Sequence, residues 1–210
     1  EKINALDIFN DIKTTSFDDA VNSGLIEYIN DDVIESYFKN VLSQGINTSL
    51  CPTSGLKVVY TPLNGTGNKP VRTILSRIGI KDVTVVSEQE NPDGNFPTCP
   101  FPNPEIREAL ELGLKKCEEI HPDLLLATDP DCDRVGIAVP SENGYVLFSG
   151  NEVGALLLEY ICTQRIKNGT MPKNPVTVKT IVTTDMIDAI AAESGVEVRN
   201  VLTGFKFIGE

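Results

Sequence analysis

The chain has 210 residues, of which 40% are hydrophobic and 23% charged, a composition typical of a globular protein with one large domain or two smaller ones. Its formal net charge of −12, with no run of basic residues, argues against nucleic acid as a partner, because such binding depends on clustered Lys and Arg. No apolar stretch approaches the roughly 18 residues that cross a membrane, and the first residues lack the pattern of a secretory signal.

The five cysteines are odd in number, widely spaced and without a CxxC pair. This pattern favours reduced thiols over a disulfide framework or a zinc site. We therefore expect a cytoplasmic protein with no membrane partner.

Residues 1–50 are rich in Asp, Asn and Ser and are interpreted as a linker segment with one good helix candidate, DDVIESYFKNVLSQG. The apolar face expected for this helix consists of Val33, Ile34, Tyr37, Val41 and Leu42. The chain starts without Met and stops at TGFKFIGE, directly after a strand-like run, so we expect a piece of a longer protein.

From Leu56 the pattern changes to a strand, LKVVYTPL, a turn, NGTGN, and a helix, KPVRTILSRIGI, followed by a second strand, DVTVVSEQ. The stretch NGTGNK at 64–69 resembles a phosphate-binding loop, because backbone N–H groups at a helix start bind anions. It lacks the G-x-x-x-x-G-K-[ST] spacing, however, and is interpreted as a strand-to-helix turn that lines a cleft.

The segment from Asn91 to Pro104 contains five prolines and is expected to be an ordered loop or linker. Asn103 and Pro104 suit the N-cap and first position of a helix, PEIREALELGLKKCEEI. The predicted apolar stripe of that helix is Ile106, Ala109, Leu110, Leu114, Cys117 and Ile120. His121, the single histidine, is expected to be a surface cap at the helix end.

Further strands and helices alternate after residue 134. The predicted strands are RVGIAVP, YVLFSG, VTVKTIVTT and VEVRNVL, and the predicted helices are GNEVGALLLEYICTQRI and DMIDAIAAES. Strands alternating with crossover helices predict an α/β fold with a mixed, largely parallel sheet and flanking helices. We expect a first domain at 51–149 and a second, truncated domain of the same kind at 150–210.

Three aspartates at alternate positions, Asp129, Asp131 and Asp133, follow the apolar run LLLAT. Carboxylates are hard ligands that suit Mg²⁺, Mn²⁺ or Ca²⁺, and three on a tight turn can converge on one ion. An EF-hand is excluded, because Arg134 and Pro140 stand where that loop needs Gly and Glu.

Three interpretations of this loop stay open on local grounds. It is a metal site of an enzyme, a solvated or non-catalytic metal-binding turn, or the active site of a haloacid-dehalogenase-like phosphatase with Asp129 as nucleophile. The phosphatase pattern expects Thr or Val where Asp133 stands. A guanidinium beside metal-bound carboxylates can hold phosphate oxygens, so Arg134 favours phosphoryl chemistry, the alternative being a simple ion pair with a neighbouring Asp.

The loop DPDCDR, from Asp129 to Arg134, resembles the metal loop DGDxDR of the α-D-phosphohexomutase superfamily, the phosphoglucomutases and phosphomannomutases. Further stretches resemble the branch related to phosphopentomutase, in the family's order: VVYTPLNGTGNKPV, DGNFPTCPFPNPE, GNEVGALLLEYI, IVTTDMIDAIAAESG and TGFKFIGE. The resemblance covers about residues 56–210.

This resemblance implies a four-domain enzyme in which a phosphoserine gives its phosphoryl group to a hexose phosphate. Glucose 1,6-bisphosphate would be the intermediate, and position 1 and position 6 phosphates would be exchanged, with glucose phosphate favoured as substrate. This chain resembles domain II and part of domain III, so domains I and IV of the same protein would be its missing partners. The phosphoserine motif T-A-S-H-N-P does not occur in these residues, and the chain alone is expected to be inactive.

The resemblance also implies residue roles. Asp129, Asp131 and Asp133 would bind Mg²⁺, and Arg134 would contact the transferring phosphoryl group. Pro130 and Cys132 stand at positions where the resembling loop has glycine, which leaves the carboxylates in place but stiffens the backbone.

On the sugar side, the resemblance assigns the TGFK sequence to the active-site cleft. Lys206 would be a general acid or base for the sugar hydroxyl, a role open to a lysine whose pKa is lowered. Thr203 and Gly204 would form the same substrate-side turn.

Overall fold

The computed structural model describes residues 2–209, and the chain divides after Ser43 into two compact units. The first unit contains a 3₁₀ turn, Ile3–Ala5, and two helices, α1 (Phe17–Asn22) and α2 (Asp31–Ser43). Helix α1 begins after Ser16, whose Oγ accepts the backbone N–H of Asp19 at 3.1 Å. A hydroxyl at this position satisfies an amide that the helix itself leaves unpaired.

Helix α2 is present where the sequence predicted it, but its predicted apolar face is partly wrong. Phe38 is buried, whereas Val33, Ile34 and Tyr37 are exposed. Phe38 lies three and four residues before the half-buried Val41 and Leu42, and this helical spacing defines the stripe that is shielded from water.

The second unit contains a five-stranded mixed sheet in the order β2-β1-β3-β4-β5. Its strands are β1 (Lys57–Thr61), β2 (Asp82–Val85), β3 (Leu124–Thr128), β4 (Val135–Ser141) and β5 (Gly144–Phe148). The first three strands of this order run parallel, and β4 and β5 add an antiparallel hairpin. This arrangement confirms the expected α/β fold with a mixed sheet.

Helices α3 (Asn68–Arg77) and α4 (Glu111–Ile120) follow β1 and β2 in the chain. The sequence places the start of α4 wrongly at Pro104. Asn103 instead accepts the backbone N–H of Glu105 at 3.0 Å in a local turn, and a 3₁₀ turn at Arg107–Leu110 precedes the α-helix.

The core beneath this sheet is formed by apolar side chains of the sheet and of the residues that lead into and through α4. Its buried members include Val59, Leu110, Leu114, Cys117, Leu125 and Ala127. Most of the predicted α4 stripe is buried, although Ile120 is exposed. His121 ends α4 in the left-handed conformation and is exposed, as expected for a surface cap.

Helix α5 (Gly150–Lys167) starts at a capping box between Ser149 and Glu152. It leads to a two-stranded parallel sheet of β6 (Val176–Thr180) and β7 (Glu197–Val201), with α6 (Met186–Glu193) between the strands and a short α7 (Phe205–Ile208) after them. A second core joins α5, α6 and β7 around Cys162, Ala191 and Val196.

All five cysteines are free thiols. Within residues 2–209, none of the helices combines the length and the hydropathy that a membrane span requires.

Candidate metal centre

The aspartate loop occupies residues 129–134, between the end of β3 and the start of β4. Thr128 pairs with Val135 in the antiparallel ladder, so the two ends of the loop are held together. The loop lies at the carboxyl end of β3, which is also the carboxyl end of its parallel neighbour β1. This is the edge of an α/β sheet where ligands commonly bind.

The three aspartates converge. One carboxylate oxygen from each of Asp129, Asp131 and Asp133 lies within 4.8 Å of the other two. Oxygen ligands sit about 2.0–2.1 Å from Mg²⁺ and about 2.3–2.6 Å from Ca²⁺, so one ion spans oxygens roughly 4–5 Å apart. The donor set therefore fits a hard divalent cation.

Asp129 is the fixed member of this group. It is only 6% exposed, and its Oδ1 accepts the backbone N–H groups of Asp133 at 3.0 Å and Arg134 at 2.9 Å. Its Oδ2 lies 3.8 Å from Nε of Arg134. Two hydrogen bonds from backbone amides to one oxygen orient the carboxylate and leave the other oxygen for a further partner.

Asp133 shows the electrostatic tension in the loop. A side-chain hydrogen bond to Asp129, which only protonated Asp133 can donate, and the charge of the Asp129 carboxylate raise the pKa of Asp133 above its usual value. The charge of Asp131 adds to this effect, and Arg134 opposes it. Like charges at this distance disfavour the ionised form, and a cation between them would remove that penalty.

Arg134 completes the cluster from the exposed side. Its Nε lies 3.9 Å from Oδ1 of Asp133, and its side chain is 57% exposed. Ion pairs with this exposure contribute little to stability, about 0–1 kcal/mol. Since both carboxylates lie beyond hydrogen-bond distance of Nε, that donor is available to an incoming anion.

The two residues between the aspartates adopt conformations that hold the loop. Cys132 has φ 62°, in the left-handed region, and its backbone N–H donates to the carbonyl of Asp129 at 3.0 Å. A residue other than glycine costs roughly 1–2 kcal/mol in this region. The carbonyl of Pro130 points to the turn after β1, where Thr66 donates to it. The sequence pattern at 64–69 predicted a cleft-lining turn, but it gave no indication of this contact.

Thr203, Gly204 and Lys206 lie at the end of the second sheet, after β7. Thr203 and Lys206 are exposed, and Nζ of Lys206 stands 4.7 Å from the ring centroid of Phe207. Within the part of the chain that the structure describes, no hydrogen bond or ion pair joins Lys206 to the aspartate loop. The structure therefore brings the three aspartates and Arg134 into one cluster.

A buried lysine on β6 was not predicted from the sequence. Lys179 on β6 has a side chain that is 3% exposed, and its Nζ donates to Asp188 and, at 3.0 Å, to Oδ1 of Asp185. These carboxylates raise the pKa of Lys179. A lysine within the strand pattern VTVKT gives no sequence signal of burial, because its partners lie beyond the strand.

Two family models match the chain. Residues 35–143 match "Phosphoglucomutase/phosphomannomutase, alpha/beta/alpha domain II", and residues 149–210 match domain III of the same family.

Curated relatives and solved structures agree with these matches. The chain is 36% identical over 212 residues to a phosphoglucomutase of Staphylococcus saprophyticus, covering 100% of this chain and 37% of the relative. It is 34% identical over 191 residues to a phosphomannomutase of Mycoplasmoides pirum, covering 91% of this chain and 34% of the relative. A phosphoglucomutase/phosphomannomutase family protein from Burkholderia thailandensis shares the fold, with a TM-score of 0.63 at 22% identity over 84% of this chain and 34% of that one.

The chain thus spans about a third of the length of the curated relatives that it matches. Its two matched segments follow the family's own order, domain II before domain III. The chain belongs to the phosphoglucomutase/phosphomannomutase family of the α-D-phosphohexomutase superfamily, and it corresponds to a central part of that architecture.

Proposed function

We propose that the protein is the central part of a phosphohexomutase that interconverts hexose 1-phosphate and hexose 6-phosphate, with glucose phosphate as the favoured substrate. Glucose 1,6-bisphosphate would be the intermediate, and a phosphoserine outside these residues would exchange phosphoryl groups with it. The observation that carries the proposal is the convergence of three carboxylates beside Arg134 at a sheet edge, in a member of this family.

In this proposal Asp129, Asp131 and Asp133 would hold Mg²⁺, which would supply positive charge to phosphoryl oxygens. Asp129 presents a preoriented oxygen, because its other oxygen is bound by two amides. Asp131 and Asp133 are exposed and can adjust to the ion.

Arg134 would bind the phosphoryl group that is being transferred. Its guanidinium is exposed and lies just outside hydrogen-bond distance of both neighbouring carboxylates. A planar fork of N–H donors matches the oxygens of a phosphate in a two-bond contact that a lysine ammonium cannot make.

Lys206 would serve as general acid or base for the sugar hydroxyl, with Thr203 and Gly204 in the substrate-side turn. Residues 51–149 and 150–210 would be the two domains that carry these groups, and the free thiols fit a reducing cytoplasm.

The proposed role of Lys206 is tested by substitution in an active enzyme that contains this chain. As a general acid or base, Lys206 would contribute at least about 100-fold to turnover, so Lys206→Met is expected to lower turnover by at least that factor. A pH–rate profile that keeps both limbs in Lys206→Met would contradict the role.

A phosphatase with Asp129 as nucleophile receives less support. The phosphatase pattern expects Thr or Val where Asp133 stands, and here the Asp133 carboxylate converges with those of Asp129 and Asp131. The match to the phosphoglucomutase/phosphomannomutase family model also covers this loop. Measurement of turnover distinguishes the mutase from a non-catalytic metal-binding module, which would convert no sugar phosphate.

Turnover is best tested in a chimera, because the chain spans about a third of its relatives. The matched segment of the Staphylococcus saprophyticus phosphoglucomutase is replaced by this chain, and conversion of glucose 1-phosphate to glucose 6-phosphate is followed. We expect turnover that Asp131→Asn lowers by at least about 100-fold, at or beyond the effect of losing an outer partner of a metal site. Asp82→Asn, on the exposed end of β2, is the matched control and is expected to retain turnover.

The isolated chain supplies the second arm of this experiment. We expect it to show neither mutase turnover nor hydrolysis of sugar phosphates. Hydrolysis that depends on Asp129 would favour the phosphatase. A chimera that folds, as judged by circular dichroism, and yet shows no turnover would support the non-catalytic module.

A further inference from the structure

The turn at residues 64–67, between β1 and α3, contacts the aspartate loop directly. The backbone N–H of Thr66 donates to the carbonyl of Pro130 at 2.8 Å, and its Oγ1 donates to the same oxygen at 3.1 Å. Pro130 lies between Asp129 and Asp131 in the chain. Two hydrogen bonds from one residue therefore hold the loop backbone at a point between two of the three carboxylates.

Glycines on both sides of Thr66 make this contact possible. A Cβ on Gly65 would lie 2.3 Å from Cα of Pro130, and a Cβ on Gly67 would lie 2.6 Å from Oγ1 of Thr128. Both separations are far below a van der Waals contact, so a larger residue would push the turn and the loop apart. Close approach, and not a positive φ, requires glycine at these two positions.

The turn is also fixed by its own backbone conformation and by hydrogen bonds to residues 89 and 91. Leu63 and Asn64 both have positive φ, at 48° and 58°, a conformation that persists only where surrounding contacts impose it. The backbone N–H of Asn64 donates to the carbonyl of Gln89 at 2.9 Å, and its Nδ2 donates to the carbonyl of Asn91 at 2.8 Å. Asn64 is buried, so these bonds are shielded from competing water.

A further hydrogen bond lies where the turn and the loop meet. Oη of Tyr60 and Oγ1 of Thr128 lie 2.9 Å apart and share a hydrogen bond that joins the ends of β1 and β3. A Cβ on Gly67 would stand equally close to both oxygens. The turn therefore rests on a fixed contact between the two strands that carry the turn and the loop.

We propose that Thr66 is a positioning residue for the metal centre, and that Gly65 and Gly67 are the steric condition for its action. The turn would keep the carbonyl of Pro130 in place and, with it, the spacing of the aspartates on either side. This role deepens the proposed function and rests on it for the identity of the metal loop. The physical contacts on which it depends exist without a metal, so they can be tested without one.

The test is amide hydrogen exchange of the metal-free chain, read at Cys132, Asp133 and Arg134, whose N–H groups are bonded within the loop. Thr66→Val removes one hydrogen bond and is expected to speed exchange at these amides about fivefold. Gly65→Ala forces the turn and the aspartate loop apart. It is expected to speed exchange at the same amides more strongly, by about tenfold or more.

Two controls separate positioning from a general loss of stability. Thr66→Ser keeps the hydroxyl and is expected to restore slow exchange. In Gly94→Ala the added Cβ meets nothing within 4 Å, so exchange in the loop is expected to stay as in the unmodified chain. Acceleration confined to the loop supports the proposal. Unchanged loop exchange in both Thr66→Val and Gly65→Ala, or equal acceleration in the core strands β1 and β3, overturns it.

Calorimetric titration with Mg²⁺ then separates this inference from the proposed function. We expect affinity to fall in the order of the exchange effects, with Gly65→Ala weaker than Thr66→Val and both weaker than Gly94→Ala. If the unmodified chain binds no Mg²⁺ while the loop exchange changes as expected, the metal proposal fails and the positioning of the loop stands. If it binds Mg²⁺ with an affinity that neither substitution changes, the positioning role is overturned.

Discussion

The aspartate loop and the TGFK turn both follow the carboxyl end of a parallel strand, yet they differ in how much of the molecule fixes them. The loop is closed by the pairing of Thr128 with Val135, bound within itself through Asp129 and held from outside by Thr66. In the TGFK turn, Thr203 and Lys206 are exposed, and the side chain of Lys206 lies over the ring of its neighbour Phe207.

The two sheets explain the difference. Strand β3 has a hydrogen-bonded strand on each side, whereas β6 and β7 pair only with each other within residues 2–209. A site at the end of a strand with two neighbours receives contacts from both connecting loops, and this is what prepares a rigid geometry. The comparison indicates that this chain preforms the proposed phosphate side of the site more completely than the proposed sugar side.

The largest expected effect concerns the proposed phosphate side. Arg134→Lys in the chimera keeps the charge but loses the planar fork of donors, and we expect kcat to fall by about 1,000-fold, the lower range for an arginine that stabilises phosphoryl transfer. Steady-state kinetics with glucose 1-phosphate provide the measurement. If kcat stays within a factor of about three, the guanidinium is only an ion-pair partner of its neighbours.

The free energy of unfolding should depend more on a leucine in the strand before the aspartate loop than on one beside the TGFK turn. Leu125 on β3 is fully buried in the first core, and Leu125→Ala is expected to lower the free energy of unfolding by about 2–5 kcal/mol. Leu202, after β7, is largely exposed, and Leu202→Ala should change it by less than about 0.5 kcal/mol. Urea denaturation of both variants provides the measurement. Equal losses would contradict the difference in burial between the two side chains.

A smaller effect is expected from Asp133→Asn, whose influence on the melting temperature should have opposite signs with and without Mg²⁺. The pKa of Asp133 is raised by Asp129 and Asp131, so repulsion weakens the folded state above that pKa and disappears as pH falls through it toward the ordinary 3.8. Asp133→Asn should therefore raise the melting temperature of the metal-free protein at pH 7, and the gain should vanish on acidification. With Mg²⁺ the order should reverse, because the ion stabilises only a folded state that binds it.

Thermal melts at pH 7 and pH 4, each with and without Mg²⁺, give this result in one set. Glu142→Gln, in the turn between β4 and β5, is the control for loss of one exposed negative charge. A metal-free melting temperature that falls in Asp133→Asn would contradict the electrostatic account of the loop.

Much of this fold was predictable because its signals are local. The alternation of apolar runs located the strands, and the run LLLAT followed by three aspartates located the candidate metal loop. The start of α4 was missed because Asn103 and Pro104 fit two local structures equally well, an N-cap or the turn to Glu105 that the structure shows. Only packing decides between them.

The features of the site that the sequence did not predict are contacts between residues that are distant in the chain. The contact from Thr66 to Pro130 spans 64 residues of sequence. Its only sequence signal was the pair of glycines in NGTGN, which indicate a turn but not the partner that approaches it. Lys179 was missed for a similar reason, since its two carboxylate partners lie in and before α6.

The central claim is that the three aspartates form one divalent-cation site, and calorimetric titration of the 210-residue chain with Mg²⁺ tests it most directly. We predict one ion per chain, with affinity at least about 100-fold weaker in Asp131→Asn and unchanged in Asp82→Asn. Equal binding by the unmodified chain and Asp131→Asn, or no binding by the unmodified chain, would contradict the claim.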